Sequence, residues 1–417
     1  MMKKTLFSLG FLLLALCVRA QTVDPMAVLQ ANPRKAYGND FPYVTEPTHL
    51  TKAPKGYKPF YISHYARHGS RYYWNSSLYN ELDTILTQAH QKQLLTPAGE
   101  TFYGKFMAAK QELMTGVSEL TQLGWEQHQN IARNMYRNFP QVFKKGGNVL
   151  AISSLSGRCV ISMAAFCQEL AQCNPELEIR EQSSRFTLDG VVPTDGQNPV
   201  KHNYPHVTPR WEQNRSQFKE ESTLEAALVP RVFKSTEGLP AKAERIGAHL
   251  LNLYTSLPNI YHEGMMEGLV TDQEVVNRWE ASNLGSYSWV FGDQYRMIPI
   301  LQDILKKAEA VINGSSDHKA DLRFGHDSCI GPLTVLLGLN GADQDPTDPY
   351  QVKYIYQNWE TCKACNIQLI FYRNKKNDVL VKCLLNEKEA RLPVPTTQYP
   401  YYKWSDFKKF YTERCNK

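Results

Sequence analysis

Short apolar runs that break on turn residues recur three times along the chain, each followed by a helical pattern. The first covers 59–66 and ends on Arg67-His68-Gly69. The second covers 149–152 and leads through two serines to Arg158, and the third covers 320–325 and leads into His326-Asp327. Residues 159–171 are nearly all apolar, as in a helix buried on every side, and 330–339 are apolar as well. Strands alternating with helices predict a mostly parallel sheet with helices on both faces. Between the first two strands, His128, Ile131, Ala132, Met135 and Phe139 fall on one stripe of an amphipathic helix. Runs at 367–373 and 379–385, separated by Asn374-Lys375-Lys376-Asn377-Asp378, predict a hairpin and so an antiparallel edge.

Length adds a domain expectation. At 417 residues the chain exceeds what one hydrophobic core usually serves. Residues 175–316 stand apart, irregular and proline-containing over 192–209 and helical in pattern over 222–313. They read as a mainly helical insertion that caps an α/β core built from 21–174 and 317–417.

Residues 1–20 have the makeup of a signal peptide: Lys3 and Lys4, an apolar run over 6–16, then Cys17-Val18-Arg19-Ala20. Cleavage is expected after Ala20, giving an exported protein, periplasmic or secreted. The run is too short to span a membrane, and no later stretch is long and apolar enough. A lipid anchor at Cys17 is the rival, disfavoured by Leu16 where a small residue would be expected. The formal charge of +6 falls by three, to +3, when Lys3, Lys4 and Arg19 leave with the leader. No basic run with interleaved aromatics points to nucleic acid. Eight of the nine cysteines remain, and an even number in an exported chain permits disulfides. Cys362-Lys363-Ala364-Cys365 has redox or zinc spacing but lacks a second pair or nearby histidines, which leaves a structural disulfide or plain buried thiols.

The chemistry gathers at the strand ends, where open α/β sheets bind ligands. Arg67, His68 and Arg71 come from the first, Arg158 from the second, His326 and Asp327 from the third. Guanidinium groups bind phosphoryl oxygens in bidentate fashion, and Gly69 is expected to let a phosphate approach the backbone. A neutral imidazole attacks phosphorus directly, so His68 is the candidate nucleophile, and Asp327 the acid that protonates the departing alkoxide. Neither metal nor cofactor is called for, in keeping with missing Walker, zinc and paired-carboxylate signatures. His64 and His128 read as structural.

Arg67-His68-Gly69-Ser70-Arg71 resembles the signature of the histidine acid phosphatases. Leu120-Thr121-Gln122-Leu123-Gly124 with Gln127, Ser153-Ser154 through Arg158 and Ser162, and Phe324-Gly325-His326-Asp327 resemble further segments of that family. Asn366-Ile367-Gln368-Leu369, Asn386-Glu387 and Leu392-Pro393 are similar to its inositol polyphosphate phosphatase members. The resemblance implies His68 as nucleophile, Arg67, Arg71, Arg158 and His326 as phosphate ligands, and Asp327 as proton donor. Two positions depart from the pattern. Tyr73 stands where proline is frequent. Ser328 stands where inositol polyphosphate phosphatases carry the acid, which here is Asp327 as in phytases and general acid phosphatases. The expected partners are therefore small phosphate esters, with inositol polyphosphates such as phytate among them. A phosphoglycerate-mutase-like transferase is the second enzyme reading, which the leader and the insertion oppose. An inactive binding protein would require a missing catalytic group. Specificity residues are expected within 72–110 and in the insertion.

Overall fold

A computed structural model describes residues 24–46, 48–193, 198–218 and 224–416. The expected leader, with Cys17 and Ala20, lies outside the described residues. The three apolar runs are strands: β1 (Lys58–Arg67), β2 (Gly147–Ser153) and, after β3 (Leu177–Ser183), β4 (Ala320–Gly325). β5 (Asn366–Arg373) and β6 (Val379–Leu385) form the expected hairpin; β7 (Lys388–Glu389) and β8 (Tyr401–Lys403) extend it.

The sheet order is β3-β2-β4-β1-β5-β6-β7, with β8 also pairing β6. The β3, β2, β4 and β1 half is parallel and the β5 to β8 half antiparallel. β3 was not anticipated: it lies past residue 174, where the sequence reading placed the start of the insertion. Its residues alternate Leu177, Ile179 with charged neighbours and are largely exposed, the pattern of an edge strand rather than of a buried parallel run.

β1 is the centre of the construction. It pairs parallel with β4, Arg67 opposite Gly325, and antiparallel with β5. Seven consecutive buried residues close the strand, so both its faces are covered. The Gly157–Cys173 helix packs on β2, β3 and β4, while the Ile298–Ile312 and Asp327–Leu337 helices pack on β1. Parallel strands all point their carboxyl ends one way, and β1, β2 and β4 thereby place Arg67, Ser153 and Gly325 side by side.

His64 and His128 are fully buried beside Phe324, with ring centroids 5.5 and 5.6 Å from it, and Phe166 completes the cluster. Burial pushes both imidazoles down to about 3. Folded-state values below the unfolded value mean stability that is intact above pH 6.5 and lost as pH falls toward 3, at about 1.4 kcal/mol per pH unit per histidine. A His64→Leu/His128→Leu variant should therefore show a smaller acid-induced fall in Tm than the wild type. Parallel falls would remove these histidines as the cause.

Candidate active site

His68 follows the last residue of β1, and its backbone N–H donates to the Gly325 carbonyl at 2.9 Å. That bond sets the imidazole beside His326, with ring centroids 5.7 Å apart at 68°. Nδ1 of His68 lies 2.9 Å from the carbonyl oxygen of Gly69. A carbonyl only accepts, so Nδ1 carries the proton, and the lone pair of the neutral ring is left on Nε2. Burial, then the charges of Arg71, Arg67, His326 and Arg158, hold the His68 imidazolium well below the usual histidine range. The ring therefore stays neutral in mild acid.

The loop after His68 is held by contacts that explain its sequence. A Cβ on Gly69 would lie 2.4 Å from the carbonyl oxygen of Gly124, and one on Gly124 would lie 2.3 Å from that of Ser70. Gly69 is thus required by the close approach of the Gln122–Asn138 helix; the expectation that it opens the backbone to phosphate is not what its neighbours show. The N–H of Gly69 donates to Ser162 Oγ at 3.1 Å, that of Ser70 to Gln127 Oε1 at 2.8 Å, and Thr121 Oγ1 donates to the Ser70 carbonyl at 3.0 Å. Gly69→Ala should cost about 1–3 kcal/mol by overpacking and misplace His68. Urea unfolding together with turnover checks this, and a fully active, fully stable variant would refute it.

Three arginines surround the imidazole. Arg67, 1% exposed, donates through Nη1 to the carbonyls of Asn39 and Thr361, both at 2.8 Å, and through Nη2 to Asp327 Oδ2 at 2.7 Å. Arg71 donates through Nη1 to the Tyr72 carbonyl at 2.8 Å; burial, then Arg67, push it down to about 10, which leaves it cationic. Arg158 enters from the first turn of the Gly157–Cys173 helix and donates to Ser118 Oγ at 2.7 Å. The N–H of Ser118 donates to the Tyr73 carbonyl at 2.9 Å, so the unusual Tyr73 is tied through Ser118 to Arg158. The Nε atoms of Arg67, Arg71 and Arg158 are all buried with no hydrogen-bond partner in the protein.

His326 and Asp327 open the Asp327–Leu337 helix. Nε2 of His326 lies 2.9 Å from Ser154 Oγ, and Arg158 Nη2 approaches its Nδ1 at 3.4 Å. Asp327 is fixed at both oxygens, by Arg67 at Oδ2 and by the N–H of Ser328 at Oδ1, 2.9 Å away. Its side chain remains 34% exposed. Burial raises this carboxyl, but Arg67, Lys363, Arg71 and His326 together overturn that and hold it well below the usual carboxylate range. All six sequence-derived residues thus meet at one sheet edge.

Sequence reasoning missed the far wall. Asn39 and Asp40, from the Pro33–Asp40 segment, and Thr361 and Lys363 close around Arg67. Cys362 and Cys365 are buried thiols, as are Cys159, Cys167, Cys329 and Cys383; Cys173 and Cys415 are half-buried thiols. Among the described residues, no group of three or more His, Cys, Asp or Glu is placed to hold a metal ion. Nor is any described helix long and apolar enough to cross a membrane.

No family model and no curated protein matches the chain. Solved structures do. A multiple inositol polyphosphate phosphatase from Bifidobacterium longum, in complex with phosphate, is 18% identical with a TM-score of 0.71, over 91% of this chain and 98% of its own. The phytase from D. castellii is 14% identical with a TM-score of 0.65, over 92% and 86%. That from Citrobacter braakii is 11% identical with a TM-score of 0.56, over 86% and 98%. At such identities the likeness speaks to the backbone, and along nearly its whole length this chain has the fold of those phosphatases, the α/β architecture its resemblance to histidine acid phosphatases implied.

Proposed function

We propose that the protein is an exported member of the histidine acid phosphatases that hydrolyses phosphate monoesters through a phosphohistidine at His68. The observation that carries this reading is the set of three buried, unpartnered Nε–H groups of Arg67, Arg71 and Arg158 around a neutral imidazole. Unsatisfied buried donors are costly, and a phosphoryl group with three equatorial oxygens would satisfy them at once.

In the first displacement, Nε2 of His68 bonds to phosphorus while the ester P–O bond breaks, and the leaving oxygen takes a proton from Asp327. In the second, Asp327 accepts a proton from a water molecule that attacks phosphorus, the N–P bond breaks, and phosphate leaves. Asp327 is ionised at rest because Arg67 grips it. A bound phosphoryl dianion competes for Arg67 and raises the Asp327 carboxyl, so substrate binding and acidity cooperate in charging the donor. His326, hydrogen-bonded to Ser154, adds a further group beside the phosphoryl oxygens.

Inositol polyphosphates such as phytate belong among the substrates to be tried, since the solved structures that share the fold bear those names. The test is a panel of esters including phytate and p-nitrophenyl phosphate. Release of phosphate that persists well below pH 6.5 is expected, because His68 stays neutral there. No hydrolysis of any ester, or a rate that collapses as pH falls through 6.5, would contradict the reading.

A further inference from the structure

The Cys362-Lys363-Ala364-Cys365 segment is a turn stitched to the nucleophile loop. The N–H of Ala364 donates to the His68 carbonyl at 2.9 Å, and the N–H of Arg67 donates to the Cys365 carbonyl at 3.0 Å. Between these bonds the Lys363 side chain runs inward and is 1% exposed. Its Nζ donates to Asp40 Oδ1 at 2.5 Å and to the Asn39 carbonyl at 3.2 Å. That same carbonyl accepts Nη1 of Arg67 at 2.8 Å.

Burying the Lys363 ammonium costs desolvation, and Asp40, whose side chain is 31% exposed, puts negative charge where an anion site tolerates it least. We infer that Lys363 is a positioning residue of the site: it neutralises Asp40 beside the arginine cradle and fixes the Asn39 carbonyl that orients Arg67. The inference rests on the anion-binding part of the proposed function. The Lys363 ammonium is engaged by Asp40 and the Asn39 carbonyl, so the role inferred for it acts through those groups.

The groups facing this pair come from every neighbouring element. Arg67 and Arg71 stand on β1 and its loop, Asp327 on its helix, Cys362 and Cys365 on the turn itself, and Tyr73 and Tyr79 beside Asp40. Burial pushes Cys362 and Tyr79 up to about 12, and Cys365 and Tyr73 up as well, so these stay neutral in the working range. Burial and then Arg67 bring Lys363 down to about 7 against the pull of Asp40. Burial acts to raise Asp40, but Lys363, Arg71 and Arg67 hold it below the usual carboxylate value. Without Lys363, Asp40 loses the foremost of the charges that lower it, and its carboxyl takes up a proton more readily than in the wild type.

The experiment follows phosphate binding, read as the rise in thermal unfolding midpoint with inorganic phosphate, and kcat/KM for p-nitrophenyl phosphate across pH. At pH 6, Lys363→Met should bind phosphate about tenfold more weakly or worse, because the Asp40 carboxylate is left uncompensated beside the incoming anion. Asp40→Asn, which removes the negative charge, should lose clearly less binding than Lys363→Met, and Lys363→Met/Asp40→Asn should regain most of the loss. Acidification should restore the Lys363→Met variant as Asp40 takes up a proton. Equal losses in the two single variants, or a double variant as weak as Lys363→Met, would overturn the inference. Should Lys363→Met not fold, Asp40→Asn decides, a tenfold loss of phosphate binding overturning it. A wild type that binds phosphate yet hydrolyses no ester would overturn the phosphatase reading and leave this inference standing.

Discussion

His68→Ala is expected to lower kcat for p-nitrophenyl phosphate by about 10,000-fold or more, the scale on which enzymes lose turnover when a covalent nucleophile is removed. The reason is geometric. Nδ1 is committed to the Gly69 carbonyl, so the ring has one nitrogen able to attack, and it lies amid three guanidinium groups that would hold the phosphoryl oxygens. Alanine leaves the cradle and removes the attacking atom. The variant should therefore still bind inorganic phosphate, stabilising the fold as it does in the wild type. Loss of turnover with retained binding separates a missing nucleophile from a collapsed site. A variant that keeps within about tenfold of wild-type kcat would remove His68 from the covalent role.

Asp327→Asn should discriminate among substrates. For an alkyl phosphate, whose alkoxide is a poor leaving group, the loss should be about 100-fold or more; for p-nitrophenyl phosphate it should stay under about tenfold. The asparagine carbonyl still accepts from Arg67, so the orientation of that guanidinium survives while the proton is lost. The pH profile carries a second signature. Asp327 is held below its ordinary value by Arg67, Lys363, Arg71 and His326, so the protonated donor is favoured by acid and by bound phosphate. The wild-type rate with an alkyl phosphate should fall as pH rises, and the Asp327→Asn rate should be flatter there. Equal losses across leaving groups would take the donor role away from Asp327.

Much of this site was legible because its residues sit at strand ends, where the switch from an apolar run to a polar turn is visible in the chain itself. β1, β2 and β4 end at Arg67, Ser153 and Gly325, and the catalytic candidates follow within a few residues. The parallel half could be inferred because buried strands read as continuous apolar runs. β3 escaped because it lies at the edge, five of its seven residues polar, next to a stretch without regular pattern. Lys363 escaped for another reason. Its neighbours Cys362 and Cys365 drew attention as a spaced pair, whereas the residue that reaches the site is the lysine between them. Asp40 and Asn39 had no signal at all, since they act through a carbonyl and a carboxylate brought across more than three hundred positions by tertiary packing. Gly69 shows that a correct residue can carry a wrong reason: the helix backbone at Gly124, rather than a phosphate, fills the space a side chain would take.

The covalent intermediate is the centre of this account, and it can be caught. Wild-type protein mixed with an activated aryl phosphate, quenched in alkali within the turnover time and digested, should yield one phosphorylated peptide. That peptide should contain Arg67-His68-Gly69, with the phosphoryl group on the His68 ring, stable to base and lost in acid, and absent from His68→Ala. Substrate turnover with no phosphoryl group on His68, or with the label on another residue, would contradict the mechanism.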